Sequence, residues 1–468
     1  MSEISAGHSQ VASAEPAGAC AVDNTPWPSL RQAYYAAWVL AGVQMCAQLN
    51  NGVTSLLVEP VKRDLGLTDL QLSYALGFAT VLFYVVIGIP AARLVDQYSR
   101  KWLMTGAVLV WSAATAACGL AQNFWQFFAA RVGIGAGESI NGPLCYSLMA
   151  DYFEPSKLPR AIAIYNVGFT GGNALSLLLG ALMIHILGGL PDIEVPLLGV
   201  VRDWQLVFIL TGLVGIPIAL LTASIAEPRR RNLKAASLVA GKPRAATLRE
   251  VIAYLFRHWR VYGPIFTGLC FTSLYMFGMA SWNAALYVRT FGWSPAQAGL
   301  YSGLLNLGLA LPSLAGAIWV NDWFRNRGHA DANMRVLAIG FTLAAPFMIL
   351  WPLMPSAWLA LALGGVGSAL MLFAAPSLNS AMQIVTPNEM RGQITALYLF
   401  TMTAVGGGFG PTFFALLTKH VWGDEMLLRY TFVLSAAVLF PAAAFIYWLG
   451  VKPYRERILA MRAAGAPV

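Results

Sequence analysis

Charge is what this chain has least of. Of its 468 residues only 11% are Asp, Glu, Lys or Arg, while 58% are hydrophobic. Soluble domains carry about a quarter charged residues, so a water-facing surface cannot be built from this composition. Lipid must be the solvent for much of the surface. Cysteine is scarce too: Cys20, Cys46, Cys118, Cys145 and Cys270 are scattered, four of them in apolar runs. That spacing excludes a disulfide framework and a zinc or other metal site. The five histidines (His8, His185, His258, His329, His420) fall in connections or at the ends of apolar runs. With no His-Glu-x-x-His string and no paired aspartates at membrane depth, an intramembrane enzyme is not expected. The first 30 residues lack a basic stretch ahead of an apolar core, so no cleavable leader is expected.

What is present includes a glycine-rich string, "RVGIGAGESINGP", at 131–143. A dinucleotide fingerprint needs a preceding strand and a third glycine, and Glu138 stands where that glycine belongs. The preceding "NFWQFFAA" gives no strand-and-turn signal. No cofactor is expected. Arg131 and Glu138 therefore need another reason to lie in an apolar run.

A helix needs about 20 mainly apolar residues to cross a bilayer. Twelve runs qualify: 33–59, 70–93, 101–121, 125–150, 160–188, 204–226, 261–288, 296–320, 334–354, 356–383, 392–418 and 428–450. Pro143 and Pro376 interrupt the fourth and tenth, which membrane helices tolerate. The expected fold is an all-α membrane protein of twelve transmembrane helices in two six-helix bundles. Its divisions are a tail 1–32, a bundle 33–226, a basic linker 227–260, a bundle 261–450 and a tail 451–468.

Net charge is +9, but position matters more than the sum, and no nucleic-acid partner is expected. With the N-terminus cytoplasmic, 23 Lys and Arg fall inside and six outside, Arg131 alone remaining within a span. By the positive-inside rule both ends are cytoplasmic. The end of the linker, "LREVIAYLFRHW", reads as a solvated basic connection or as a short amphipathic helix on the inner surface.

The halves echo each other, as parallel repeats do. "LVDQYSRK" parallels "VNDWFRNR", with Asp96 and Asp322 226 residues apart. "FEPSKLPRAIAIY" parallels "VTPNEMRGQITALY", with Arg160 and Arg391 231 apart, and Pro143 and Pro376 are 233 apart.

On these residues the chain resembles the major facilitator superfamily over nearly its whole length. In the loop "ARLVDQYSRK", Asp96, Arg100 and Lys101 match the superfamily signature, whereas Ala92, Gln97 and Ser99 depart from it. The run from Arg131 through "DYFEPSKLPR" is most similar to the Spinster-type branch, which includes lysolipid and sphingolipid exporters. That branch usually has an Asp-Arg pair in span one, ahead of a segment like "VEPVKRDLGLTD". Here Asn50 and Asn51 stand in its place. The resemblance implies alternating access, and a latch of the cytoplasmic ends by Asp96, Arg100 and Lys101, completed by Asp151 and Arg160 and echoed by Asp322 and Arg391.

Glu138 is placed near mid-bilayer, about 20 Å past Trp125 at 1.5 Å per residue, with Arg131 on the same face. Ionisable groups there cost about 2.5–3.5 kcal/mol even on the lenient scale, so function is the default reading. Glu138 is the expected proton-coupling or substrate-sensing acid, and Arg131 would hold an anionic headgroup or neutralise Glu138. Gln44, Gln48 and Asn51 form one stripe on span one, with Asn50 beside it; Asn166, Thr170 and Asn173 form another on span five. Either stripe lines a cavity or glues helices, and Asn141 joins the same group. On span seven Tyr275, Met279, Trp282 and Asn283 are candidates to meet an apolar substrate body. The expected partners are a small organic anion or lysolipid-like solute, protons and membrane lipids. The expected form is a monomer in the plasma membrane. A uniporter and a non-transporting receptor remain alternatives.

Overall fold

The computed structural model describes residues 27–79, 81, 98–154, 156–188, 193–195, 199–230, 248–387 and 390–464. Helix α1 (Leu30–Leu56) opens at Ser29, whose hydroxyl accepts from Gln32 N. It turns at Leu57 into the short α2 (Val58–Leu65), which ends on Gly66 in the left-handed region. The second span begins as α3 (Asp69–Leu76) behind a Thr68–Gln71 capping box; Asp96 and its loop up to residue 97 lie outside the described residues. Then come α4 (Arg100–Cys118), α5 (Phe124–Glu138), α6 (Asn141–Tyr152), α7 (Leu158–Leu187) and α8 (Asp203–Ser224). A two-stranded antiparallel pair, β1 (Ile193–Val195) and β2 (Gly199–Val201), sits between α7 and α8 with Glu194 opposite Val200.

The second half runs α9 (Leu248–Arg257), α10 (Trp259–Phe291), α11 (Pro295–Asn326), α12 (Ala332–Leu350) and α13 (Ala357–Val385). It continues with α14 (Arg391–Thr401), a π-helical stretch Met402–Phe409, α15 (Gly410–Leu417) and α16 (Leu428–Ala463). Among the described residues eight helices are long and apolar enough to cross a membrane. The other four spans have local reasons to miss that standard. α1 carries the polar stripe, α3 is described only at its start, and α4 opens on Arg100 and Lys101. The fourth span is divided between α5 and α6. Pro143 has no N–H for the Ser139 carbonyl, and its ring crowds that carbonyl, so the helix breaks at Ser139–Ile140. Pro376, its counterpart in the repeat, lies inside the unbroken α13.

The two halves repeat one packing scheme. α1 packs on α7 and α8, and α4 on α5 and α8; correspondingly α10 packs on α15 and α16, and α12 on α13 and α16. This is the pseudo-symmetry that the sequence offsets imply. α16 continues past residue 450 to Ala463.

Candidate functional site

Helix α5 approaches α4 closely because Gly137 lies against Trp111 and the Ala107 carbonyl, where a Cβ would collide. Arg131, 2% exposed, donates through Nη1 to Thr54 Oγ1 at 3.1 Å and through Nε to the Ala75 carbonyl at 3.4 Å. It thereby fixes α1 and α3 to α5. This guanidinium, expected to hold an anionic headgroup or to neutralise Glu138, is buried among helix partners, and its charge reaches Glu138. Glu138 is half-buried, and its Oε1 is enclosed with no hydrogen-bond partner among the described residues. The Asn50 amide faces this carboxyl. Asn50 Oδ1 accepts from Thr115 Oγ1 at 3.0 Å while its own Nδ2 has no hydrogen-bond partner among the described residues. An acid and an amide, each with an unmatched polar atom, thus face one another in the interior of the first half.

The span-one stripe divides between two uses. Gln44 Oε1 accepts from Asn141 Nδ2 at 2.9 Å and from Tyr165 Oη at 2.8 Å, so Gln44 and Asn141 hold α1, α6 and α7 together. For those two, helix glue is the observed role. Gln48 is half-buried, and Asn51 is exposed, with Nδ2 donating to the Ala47 carbonyl at 3.4 Å. On α7, Asn166 and Asn173 are exposed and Thr170 half-buried. On span seven the structure places the four candidates differently. Tyr275 and Trp282 are fully buried within the second half. The Tyr275 ring packs edge-on against Phe414, Phe432 and Phe440, and Trp282 Nε1 donates to the Pro411 carbonyl at 2.9 Å. Met279 and Asn283 are half-buried.

At the end of the first half where α4 begins, Arg100 is 2% exposed and joins three elements. Its Nη1 meets Asp151 at 2.5 Å and Ser147, its Nε meets Glu227 at 3.2 Å, and its Nη2 donates to the Pro228 carbonyl at 3.0 Å. Arg100 and Asp151 are brought together; Glu227, the third member, was not singled out from sequence. Its oxygens accept from Ser99 Oγ at 2.7 Å and from the Lys101 backbone N–H at 2.8 Å. The Lys101 side chain instead lies over the Trp102 ring, and Arg160 is exposed. In the second half, among the described residues, Asp322 pairs with neighbouring Arg325, and Arg391 Nε donates to the Gln383 and Thr386 carbonyls. The buried acid there is Asp331, held by Arg335 and Arg455.

Partial burial works against the Glu227 charge, but the Lys101 N–H, Ser99 and Arg100 outweigh it and hold the carboxyl below its ordinary value. A depressed carboxyl adds stability above the unfolded-state pKa, about 4.3, and loses it as pH falls through the folded value. The melting-temperature gap between wild type and Glu227→Gln is therefore expected to be full at pH 7 and to close below about pH 4. A gap that is constant with pH would refute this.

The opposite face carries a cluster absent from the sequence expectations. Arg289, at the end of α10, grips Asp69 of α3 with two bonds of 2.6 and 2.8 Å. It also meets Glu59 of α2 at 2.7 Å and the Glu425 carbonyl at 2.9 Å. Lys62 bridges Asp69 at 2.7 Å and also pairs with Glu425. The Arg289 and Asp69 side chains are each 3% exposed. Below them the halves touch directly: Gly77 lies on the Gly408 carbonyl where a Cβ would collide, Phe78 meets Phe409 edge-on at 4.9 Å, and Ser73 donates to Thr412. Among the described residues, every ion pair joining the two halves lies at this face. The clue in the sequence was the intact "VEPVKRDLGLTD" segment, which supplies Glu59, Lys62 and Asp69.

A family model described as Major Facilitator Superfamily matches residues 40–411. An MFS-type efflux pump of Mycolicibacterium smegmatis is 25% identical over 455 residues, spanning 95% of this chain and 98% of that protein. A gentisate transporter of Corynebacterium glutamicum is 24% identical, over 62% of this chain and 61% of its own. The fold matches the crystal structure of a bacterial homolog of the human lysosomal transporter Spinster, inward-facing and unoccupied. The TM-score is 0.74 and the identity 20%, over 93% of this chain and 99% of that one.

Proposed function

Because this chain belongs to the Major Facilitator Superfamily, a family of membrane transporters, we propose that it carries a small amphiphilic organic solute by alternating access, linked to protons through Glu138. The observation carrying the reading is the enclosed Glu138 Oε1, a carboxylate oxygen with no hydrogen-bond partner among the described residues. A buried acceptor left unmatched costs about 1–3 kcal/mol, and a proton or a ligand donor would relieve it. Arg131 sets the field at Glu138, while Gln48, Asn51, Asn166, Thr170, Met279 and Asn283 form the lining offered to the solute. The gentisate transporter among the relatives favours an organic anion.

The two units are 33–226 and 261–450, joined by 227–260, with both termini cytoplasmic in the plasma membrane and the protein acting as a monomer. The Arg100 end is then the cytoplasmic one. Arg289, Asp69, Lys62, Glu59 and Glu425 close the outer face, so the conformation is closed to the outside. The Arg100–Asp151–Glu227 group would latch the inner ends when the cycle reverses.

The test is uptake of aromatic carboxylates and lysophospholipids into proteoliposomes with an imposed pH gradient. Wild type is expected to accumulate its solute against a concentration gradient. Glu138→Gln is expected to lose accumulation, falling to equilibration, while still binding. A variant that still accumulates solute with unaltered pH dependence ends the proton-linked reading. A uniporter is the second reading, favoured by the neutral Asn50 and Asn51 in span one; wild type would then equilibrate without accumulating.

A further inference from the structure

The end of the linker folds as α9, and α10 begins two residues later. Helix α9 has apolar side chains on two sides. On one, Val251 is fully buried and Tyr254 and Leu255 pack against the core. Tyr254 Oη accepts from Arg457 Nη2 of α16 at 3.0 Å. On the other side Ile252, Phe256 and Trp259, four and three residues apart, are 41%, 75% and 62% exposed. Large apolar side chains at the mouth of a span face acyl chains rather than water.

Beside this stripe lies a hollow of about 460 Å³ lined by Arg257, His258, Arg260, Pro453, Glu456 and Arg457. No ion pair joins Arg257, Arg260 or Arg457 to a carboxylate among the described residues, although Glu456 stands on the rim. The local field is positive: partial burial, then the Arg457 and Arg257 charges, hold His258 below its ordinary value. Guanidiniums with no carboxylate partner around a hollow suit phosphate, and the adjoining apolar stripe suits acyl chains. A soluble anion would leave the stripe without purpose.

We propose that the hollow between the α9–α10 corner and the end of α16 binds the headgroup of an anionic phospholipid. The lipid's chains lie along Ile252, Phe256 and Trp259. Occupied, the site clamps the linker helix to the last span.

The test uses full-length protein in phosphatidylcholine vesicles doped with brominated phosphatidylglycerol or, as control, brominated phosphatidylcholine. The Trp259 fluorescence is isolated by subtracting a Trp259→Phe variant. Brominated phosphatidylglycerol should quench that component more strongly than the control. Relative affinity should fall about fivefold for each arginine replaced in Arg257→Gln and Arg260→Gln. These two leave the Arg457–Tyr254 bond intact, so the linker helix stays docked and a null result cannot be laid to misfolding. Equal quenching by both lipids in wild type overturns the site. So does a preference that survives the double variant, or one removed by inorganic phosphate at physiological concentration.

Discussion

Arg289→Ala is expected to release the face that is closed in this structure. Arg289 and Asp69 are buried and bonded twice, and the same guanidinium holds Glu59 and the Glu425 carbonyl. Removing one partner of a buried pair costs about 3–5 kcal/mol. Lys62 still neutralises part of Asp69, so the lower end, about 3 kcal/mol, is the better expectation. Because 1.4 kcal/mol is tenfold in an equilibrium, that corresponds to roughly a hundredfold change in the ratio of closed to open forms. Spin labels at Arg63→Cys and Met426→Cys, both exposed, report the distance between the halves at this end. In the Arg289→Ala background the long-distance population should grow from minor to dominant, with transport falling at least tenfold. An unchanged distribution in the single variant would mean that the Gly77–Gly408 and Phe78–Phe409 contacts, not the charges, hold the halves together.

Arg100→Ala acts on stability instead. This side chain is 2% exposed and carries Asp151, Glu227, Ser147 and the Pro228 carbonyl, so it pins α4, α6 and the chain after α8 to each other. Its loss leaves Asp151, itself 6% exposed, with its strongest partner gone. The expected cost is about 3–5 kcal/mol, read as a melting temperature lower by roughly 10 °C in detergent. Arg100→Lys should recover little, because one ammonium cannot span acceptors on three elements. Lys101→Ala, whose ammonium only lies over the Trp102 ring, serves as the control and should shift the midpoint little. Equal effects from the two replacements would refute the assignment of Arg100 as the pin.

Glu138 could be singled out from sequence because a charge in an apolar run is costly wherever the neighbours lie; its cost depends on the bilayer, not on a partner. Asp69 and Arg289 could not. Each sits at the end of a span where charges are ordinary, and they are 220 residues apart. Tyr275 and Trp282 illustrate a different limit. Aromatic residues in a membrane helix suit lipid, core or substrate alike, so periodicity shows a face without saying what it meets. Arg131 was found as an intramembrane charge, yet its job, bonding Thr54 and the Ala75 carbonyl, depends on how α1 and α3 approach α5.

The chain's amino acids alone determined the twelve spans, the duplication and the presence of an acid within an apolar run, because each follows from what a run of residues can do in hydrocarbon. Tertiary structure decided which charges meet: Arg100 with Glu227, and Arg289 with Asp69 across the two halves. Ion pairing is a relation between surfaces brought together by packing, and no single run of residues contains it.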